Sequence, residues 1–341
     1  MESTKKLIKE ILRLLKESKF TMDTRNLWTF AAMVAVLMKG TKAHLYELAK
    51  AIPGKTKRRA RIQKVRRWIS NPKITPVMFL PLFLLVLAPF VSEFPELVLI
   101  IDRTDWKRLG KHINVFLCSI SYKGRSFPIH WIVFSKRGCS SLEEQKQLLS
   151  QVFKAIAVDP LLSTKPIRVV ADREFCSPKL PEWINGFGHS FGIRVKCNYT
   201  VHYSDGKITT VGALMEKCNK GECFLEKDVI ITNDSTFPTN LLIYWREDCD
   251  EPVAIITDSE NVKLIIGSFA ERSFIETLNR DLKSSGYDIE KGKLNERKRV
   301  ENLLIPIAFA YIFSLILGNL QEIKNPIPEL KHRKLSLFKK R

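Results

Sequence analysis

Three carboxylates are placed where they could do chemistry. Asp102 closes the apolar run LVLIID, and Asp172 closes IRVVAD. The continuous apolar run Leu97–Ile101 reads as a buried central strand, and Pro166–Ala171 as another. Each aspartate is therefore expected at the carboxyl end of its strand, where open α/β sheets collect ligands. Glu276 belongs to a segment with helical periodicity, expected from Phe269 to about Ser284. At 100° per residue, Phe269, Arg272, Glu276 and Lys283 fall within about 60° of one another. Phe274, Ile275, Leu278 and Leu282 form a separate apolar arc. Glu271 points into that arc and is set aside. Carboxylate oxygens suit a hard divalent cation such as Mg²⁺. Three of them around two ions about 4 Å apart would serve in-line displacement at phosphorus. Taken singly, each aspartate could merely cap a turn, and Arg272 with Glu276 could be a surface i,i+4 ion pair of small worth.

The elements that must position these groups follow from the pattern. Leu97 to Ile101 reads as a first strand, and Ile113–Ser121 and Ser126–Phe134 as a hairpin around Lys123-Gly124. Ser141-Leu-Glu-Glu144 is a capping box opening a helix to about Ala157. Pro166–Ala171 is a fourth strand, Ser177 caps a helix through Trp183, and Ile193–Tyr199 is a fifth strand. This order resembles a ribonuclease-H-like core with its final helix delayed. Residues 200–258 read as an all-β insertion, with a turn at Asp205-Gly206 and strands Cys223–Thr232, Leu241–Trp245 and Val253–Thr257. The expected division is a helical basic head (1–75), the first part of the core (76–199), the insertion (200–258), core completion with C-terminal helices (259–320) and a basic tail (321–341).

The head has its own signals. Apolar residues recur at helical spacing in Leu7–Leu15 and from Asn26 to Met38, which stops at Gly40. Thr41 could cap a short helix ending before Pro53-Gly54, and a fourth helix runs from Lys57 to Ile69. Ile62, Val65 and Ile69 lie on one side of it; Lys57, Arg58, Arg61 and Lys64 lie on the other. Eight lysines and arginines fall between Lys55 and Arg67, so this short helix, turn and basic helix resemble a helix-turn-helix that contacts DNA.

Composition agrees with a polyanionic partner. The 341 residues carry 56 Lys plus Arg against 36 Asp plus Glu, a net charge of +20; such a field draws nucleic acid. The seven cysteines are odd in number and scattered, and the charged helical pattern of Met1–Lys16 is not a secretory signal, so reduced thiols in a cytoplasm are expected. Cys218 and Cys223 lack a second ligand pair for zinc. The apolar runs Val77–Val91 and Leu303–Gly318 are shorter than the roughly 20 residues of a spanning helix and read as buried core helices.

The run FAERSFIETLNRDLK resembles the signature Y-x2-R-x3-E-x6-K of the insertion-sequence-four family of DDE transposases. Arg272, Glu276 and Lys283 match at the required spacing, and Phe269 stands at the tyrosine position. An aspartate after a strand (Asp102), a second within A-D-R (Asp172), a β insertion before the glutamate, and RRWISNPKI closing the head are the family's other elements in order. The resemblance implies a metal-dependent enzyme that cleaves double-stranded DNA at transposon ends and joins the 3′-hydroxyls to a target. Asp102, Asp172 and Glu276 would hold two Mg²⁺ ions, Mn²⁺ substituting, while Arg272 and Lys283 would grip end phosphates. It implies a homodimer on DNA, each subunit cutting the end bound by its partner; the shortness of the two apolar runs is what argues against a membrane. Relatives stack a tryptophan of the insertion on a flipped base. The matching position here is Val253; Trp245, one strand earlier, offers an aromatic face or packs within its own sheet. Two alternatives stay open: a nuclease of the same fold without strand transfer, and an inactive DNA-binding descendant.

Overall fold

The computed structural model describes residues 2–108, 110–177, 179–232 and 235–324. The basic tail beyond 324 lies outside them. Five helices come first: α1 (Glu2–Glu17), α2 (Thr24–Met38), α3 (Leu45–Ala51), α4 (Arg58–Ile69) and α5 (Pro76–Val91). Asp23 caps α2 by accepting from the Arg25 and Asn26 amides, and Gly40 ends its exit at φ +82°, a conformation that costs glycine nothing. Thr41 does not cap α3. The Ala43 amide donates instead to the Tyr287 carbonyl at 2.7 Å, which keeps the chain extended until His44.

The sheet begins with β1 (Leu97–Arg108), β2 (Lys111–Tyr122) and β3 (Arg125–Phe134). Lys123 and Gly124 both have positive φ, 42° and 77°, as a two-residue turn matched to strand twist requires. The Ser141 capping box forms and opens α6 (Leu142–Ala157). Then come β4 (Ile167–Ala171), α7 (Lys179–Asn185), β5 (Ser190–Arg194), β6 (Thr200–His202), β7 (Ile208–Thr210), α8 (Val211–Met215), β8 (Cys223–Ile231), β9 (Thr239–Tyr244) and β10 (Val253–Thr257). The chain closes with α9 (Val262–Ala270), α10 (Phe274–Arg280) and α11 (Arg297–Lys324).

Ten strands form one mixed sheet in the order β3-β2-β1-β4-β5-β10-β9-β8-β6-β7. β1, β4 and β5 are parallel to one another, and β2 and β3 continue antiparallel from β1. This mixed α/β architecture behind N-terminal helices is consistent with a ribonuclease-H-like DDE domain.

Four sequence expectations need correction. β1 does not stop at Asp102: its parallel ladder with β4 ends at Ile101↔Ala171, but its antiparallel ladder with β2 continues to Arg108↔Lys111. β5 lies earlier than Ile193–Tyr199. Gly192, which weakens the strand signal, pairs with Val170, while Asp258 holds the Ser190 hydroxyl and the Phe191 amide; residues 196–199 turn instead. The 200–258 segment is not all-β, because Thr210 accepts from the Ala213 amide and starts α8. Its strands also extend the central sheet, since β10 pairs with β5. The helix carrying Glu276 starts at Val262, capped by Asn261, and is not uniform. A 3₁₀ turn at Glu271–Ser273 separates α9 from α10, and a π-turn follows at Asp281–Ser285.

One hydrophobic cluster joins head and core. Phe309 of α11 stacks on Phe83 (4.2 Å between centroids) and meets Phe30 of α2 edge-on (5.2 Å). By length and composition α11 could cross a bilayer, yet 67% of its apolar window is buried inside the fold. Asn302 within it donates to the backbone oxygens of Ile69 and Asn71. It is built as a core helix.

Candidate active site and nucleic-acid-binding surface

Asp102 and Asp172 are the residues that follow the paired Ile101 and Ala171 on adjacent parallel strands. The register alone therefore sets the two side by side where the parallel β1–β4 ladder ends, with Asp172 just past β4 and Asp102 inside the longer β1. Loss of surrounding water pushes the Asp102 carboxyl up to about 6; the Arg103 amide and Arg272 oppose this, while Glu174 and Asp172 add to it. Asn279 of α10 donates from Nδ2 to Asp102 Oδ2 at 2.7 Å. Asp172 accepts from the Arg173 amide and so caps the short 3₁₀ turn Arg173–Phe175. The guanidinium groups of Arg272 and Arg194 stand 3.6 and 3.9 Å from its carboxylate. Glu174 is engaged by Arg103 through two hydrogen bonds of 3.0 and 3.2 Å.

Arg272 is the hinge of the cluster. It bonds Glu276 at 2.8 Å, pairs with Asp172 and acts on Asp102. Its guanidinium lies 5.9 Å from the Phe269 ring centre, close enough for cation–π attraction. Phe269 itself is buried with Leu242, Tyr244, Ile255 and Ile265, so it supports Arg272 from beneath and does not share the exposed face expected for it. Glu276 is mostly exposed. Lys283, carried by the π-turn, donates to the Asp105 carbonyl on β1 at 2.9 Å. Ile275, Leu278 and Leu282 are buried as the apolar arc. Burial, with Glu96 nearby, holds the Glu271 carboxyl above the usual carboxylate range, against a hydrogen bond from Ser121.

Among the described residues no three His, Cys, Asp or Glu side chains gather closely enough to hold one ion. The expected direct convergence of Asp102, Asp172 and Glu276 is thus absent from this conformation, with Arg272 reaching to both Asp172 and Glu276. The donor set nevertheless fits a hard divalent cation. All three groups offer carboxylate oxygen, and a guanidinium already supplies positive charge to two of them while the third is desolvated. Sequence reasoning missed Asn279 and Arg194. Asn279 follows Glu276 by three residues, so helical spacing could have found it; Arg194 at the end of β5 gave no local signal.

On the head, α4 presents its basic side outward. Lys57, Arg58 and Lys64 are exposed and Arg61 is partly so. Arg58 stacks on and hydrogen-bonds Tyr46 of α3, Arg61 bonds the Gly54 carbonyl and Lys64 sits 4.7 Å over the Trp28 ring. Val65, Trp68 and Ile69 fill the core. In the insertion, Trp245 follows β9, donates to the Cys249 carbonyl at 3.0 Å and has Lys220 5.8 Å from its ring centre. All seven cysteines are free.

No curated protein matches the chain. Among solved structures, an endonuclease V from Bacillus subtilis aligns over 79% of this chain and 95% of its own, at 12% identity and a TM-score of 0.25; so low a score carries no argument. The model of the transposase DDE domain family matches residues 93–313, the span that holds Asp102, Asp172, Arg272, Glu276, Asn279 and Lys283. That match covers well over half of the chain, which therefore belongs to the transposase DDE domain family, whose members use divalent metal ions to cleave DNA and transfer its strands.

Proposed function

We propose that this protein is a transposase of the insertion-sequence-four branch, which binds the inverted-repeat ends of its element, cleaves them and joins the 3′-hydroxyls to target DNA. The observation that carries the site assignment is Arg272: it pairs with Asp172 and Glu276 and its charge acts on Asp102, so carboxylates from three separate elements are arranged around one guanidinium. In this reading Asp102, Asp172 and Glu276 hold two Mg²⁺ ions, for which Mn²⁺ can substitute. Ions so held supply an activated water or 3′-hydroxyl and stabilise the leaving oxygen of an in-line displacement.

The protein's own groups do the positioning. Asp102 and Asp172 are fixed by the β1–β4 register. Arg272 forms a planar fork suited to phosphate oxygens, and in DNA-bound protein an end phosphate takes over the hydrogen bond now made to Glu276 and the ion pair with Asp172. Lys283 adds a point charge further along the same helix. Arg58, Arg61, Lys57 and Lys64 of the head track the phosphates of the terminal repeat, and Trp245 offers an aromatic face to a displaced base. The enzyme works in the cytoplasm as a homodimer, each subunit cutting the end held by its partner.

The test uses the full chain, duplexes ending in the element's terminal repeat, and a target plasmid with Mg²⁺ or Mn²⁺. Cleavage and joining are expected, with both lost and end binding retained in Glu276→Ala. Cleavage without joining of pre-cut ends would make the protein a nuclease. Robust cleavage by Glu276→Ala would remove that residue from the site.

A further inference from the structure

Asn279 has no part in the metal and phosphate roles assigned above, yet it touches the site more closely than any other neutral side chain named there. It is buried, 9% exposed, on the helix that carries Glu276. Its Nδ2 donates to Asp102 Oδ2 at 2.7 Å. That orientation of the amide follows from charge, since its oxygen turned toward a carboxylate would repel it. The other half of the amide, Oδ1, is buried and accepts no hydrogen bond. Buried acceptors are rarely left unpaired, and an unpaired one calls for a partner or a function. Because Oδ1 and Nδ2 share one carbon, the orphan acceptor lies beside the Asp102 carboxylate.

We infer that Asn279 is a positioning residue for the divalent cation on Asp102: its N–H fixes one carboxylate oxygen, and its free amide oxygen accepts a hydrogen bond from a water of the hydrated cation. The inference rests on the two-ion reading of Asp102, Asp172 and Glu276. Three physical points support it. Mg²⁺ sheds water reluctantly and is held through one or two carboxylates with several waters retained, so its surroundings need neutral acceptors. Tying down Oδ2 fixes the orientation of the Asp102 carboxylate, and outer groups that orient a ligand in this way typically govern metal affinity by 10–100-fold. A neutral amide does this without adding to the negative charge of Glu174 and Asp172 that already opposes ionisation of Asp102. The position of Asn279, one helical turn beyond Glu276, also links the strand aspartate to the helix that must bring up the third carboxylate.

The test is Mn²⁺ binding to the full-length protein without DNA, measured by calorimetry, with folding followed by circular dichroism. Asn279→Ala is expected to weaken Mn²⁺ binding at least tenfold while metal-free binding to end duplexes is unchanged. Asn279→Ser, whose hydroxyl both donates and accepts, is expected to lose less, and it serves as the second variant should the alanine protein fail to fold. Asp172→Asn and Glu276→Gln run alongside. If these two weaken Mn²⁺ binding and both Asn279 variants leave it unchanged, Asn279 is a packing residue and the inference fails. If all four bind Mn²⁺ as the parent does, the two-ion reading itself fails, and the inference with it.

Discussion

At the scale of single residues, the charge on Asp102 is costly to the fold and useful to the site. The folded protein holds its proton up to about pH 6, whereas an unfolded aspartate releases it near 3.9. Between those values the folded state binds more protons, so this group's contribution to stability falls as pH rises through the window and stays unfavourable above it. His130 acts in the opposite sense: burial pushes it down to about 4, so its contribution is lost as pH falls from about 6.5 toward 4. Comparing Asp102→Asn with the parent isolates the first effect. The variant is expected to be more stable at pH 7.5 without metal, by up to about 3 kcal/mol, with the gain vanishing below pH 4. Calorimetric melting across pH checks this, and cleavage should be abolished. An equal or lower melting temperature at pH 7.5 would mean that the Asp102 charge is already neutralised by its neighbours. Arg272→Lys is the second residue-scale prediction. Lysine cannot bridge Asp172 and Glu276 nor offer a bidentate fork, so cleavage and joining should fall at least tenfold, about 1.4 kcal/mol in the barrier, with circular dichroism unchanged. Activity like the parent's would reduce Arg272 to the i,i+4 partner of Glu276.

At the scale of elements, the helix bearing Glu276 is where ideal geometry and the actual fold part. A uniform 100° step put Phe269, Arg272, Glu276 and Lys283 on one face. The 3₁₀ turn at Glu271–Ser273 tightens the winding and the π-turn at Asp281–Ser285 loosens it, so Phe269 enters the core and Lys283 swings to β1. π-turns inside helices are frequent at functional sites. For α4 the prediction is electrostatic. Replacing Arg58 and Arg61 by Ala should weaken end binding and flatten its salt dependence by roughly one unit of slope per lost phosphate contact, read by fluorescence anisotropy over a salt series. The effect should be uniform across sequences, since phosphate contacts carry no base information. An unchanged slope would move the DNA surface off α4.

At the scale of the whole molecule, head and core share one apolar interior. Phe309 meets Phe30 of the head, and it meets Phe79 and stacks on Phe83, both of α5; Phe83 in turn contacts Trp131 of β3. Phe309 is 1% exposed. Phe309→Ala should cost about 3–5 kcal/mol, seen as a lower urea midpoint, and melting of the head should stay coincident with loss of sheet signal. A head that unfolds separately in the parent protein would contradict the shared core.

The sequence by itself determined the local and the compositional. The apolar runs ending in Asp102 and Asp172, the Lys123-Gly124 turn, the Ser141 capping box and the basic face of α4 each follow from neighbours within a few residues, where periodicity and turn chemistry act. Tertiary contacts decided the rest. The Ala43–Tyr287 hydrogen bond delays α3, β2 prolongs β1 beyond Asp102, and Asp258 supports the early start of β5. Arg194 reaches Asp172 from a neighbouring strand and Asn279 reaches Asp102 from 177 positions away in the chain. Hydrogen bonds and ion pairs of that kind depend on distance in space, and a linear pattern records distance only within an element.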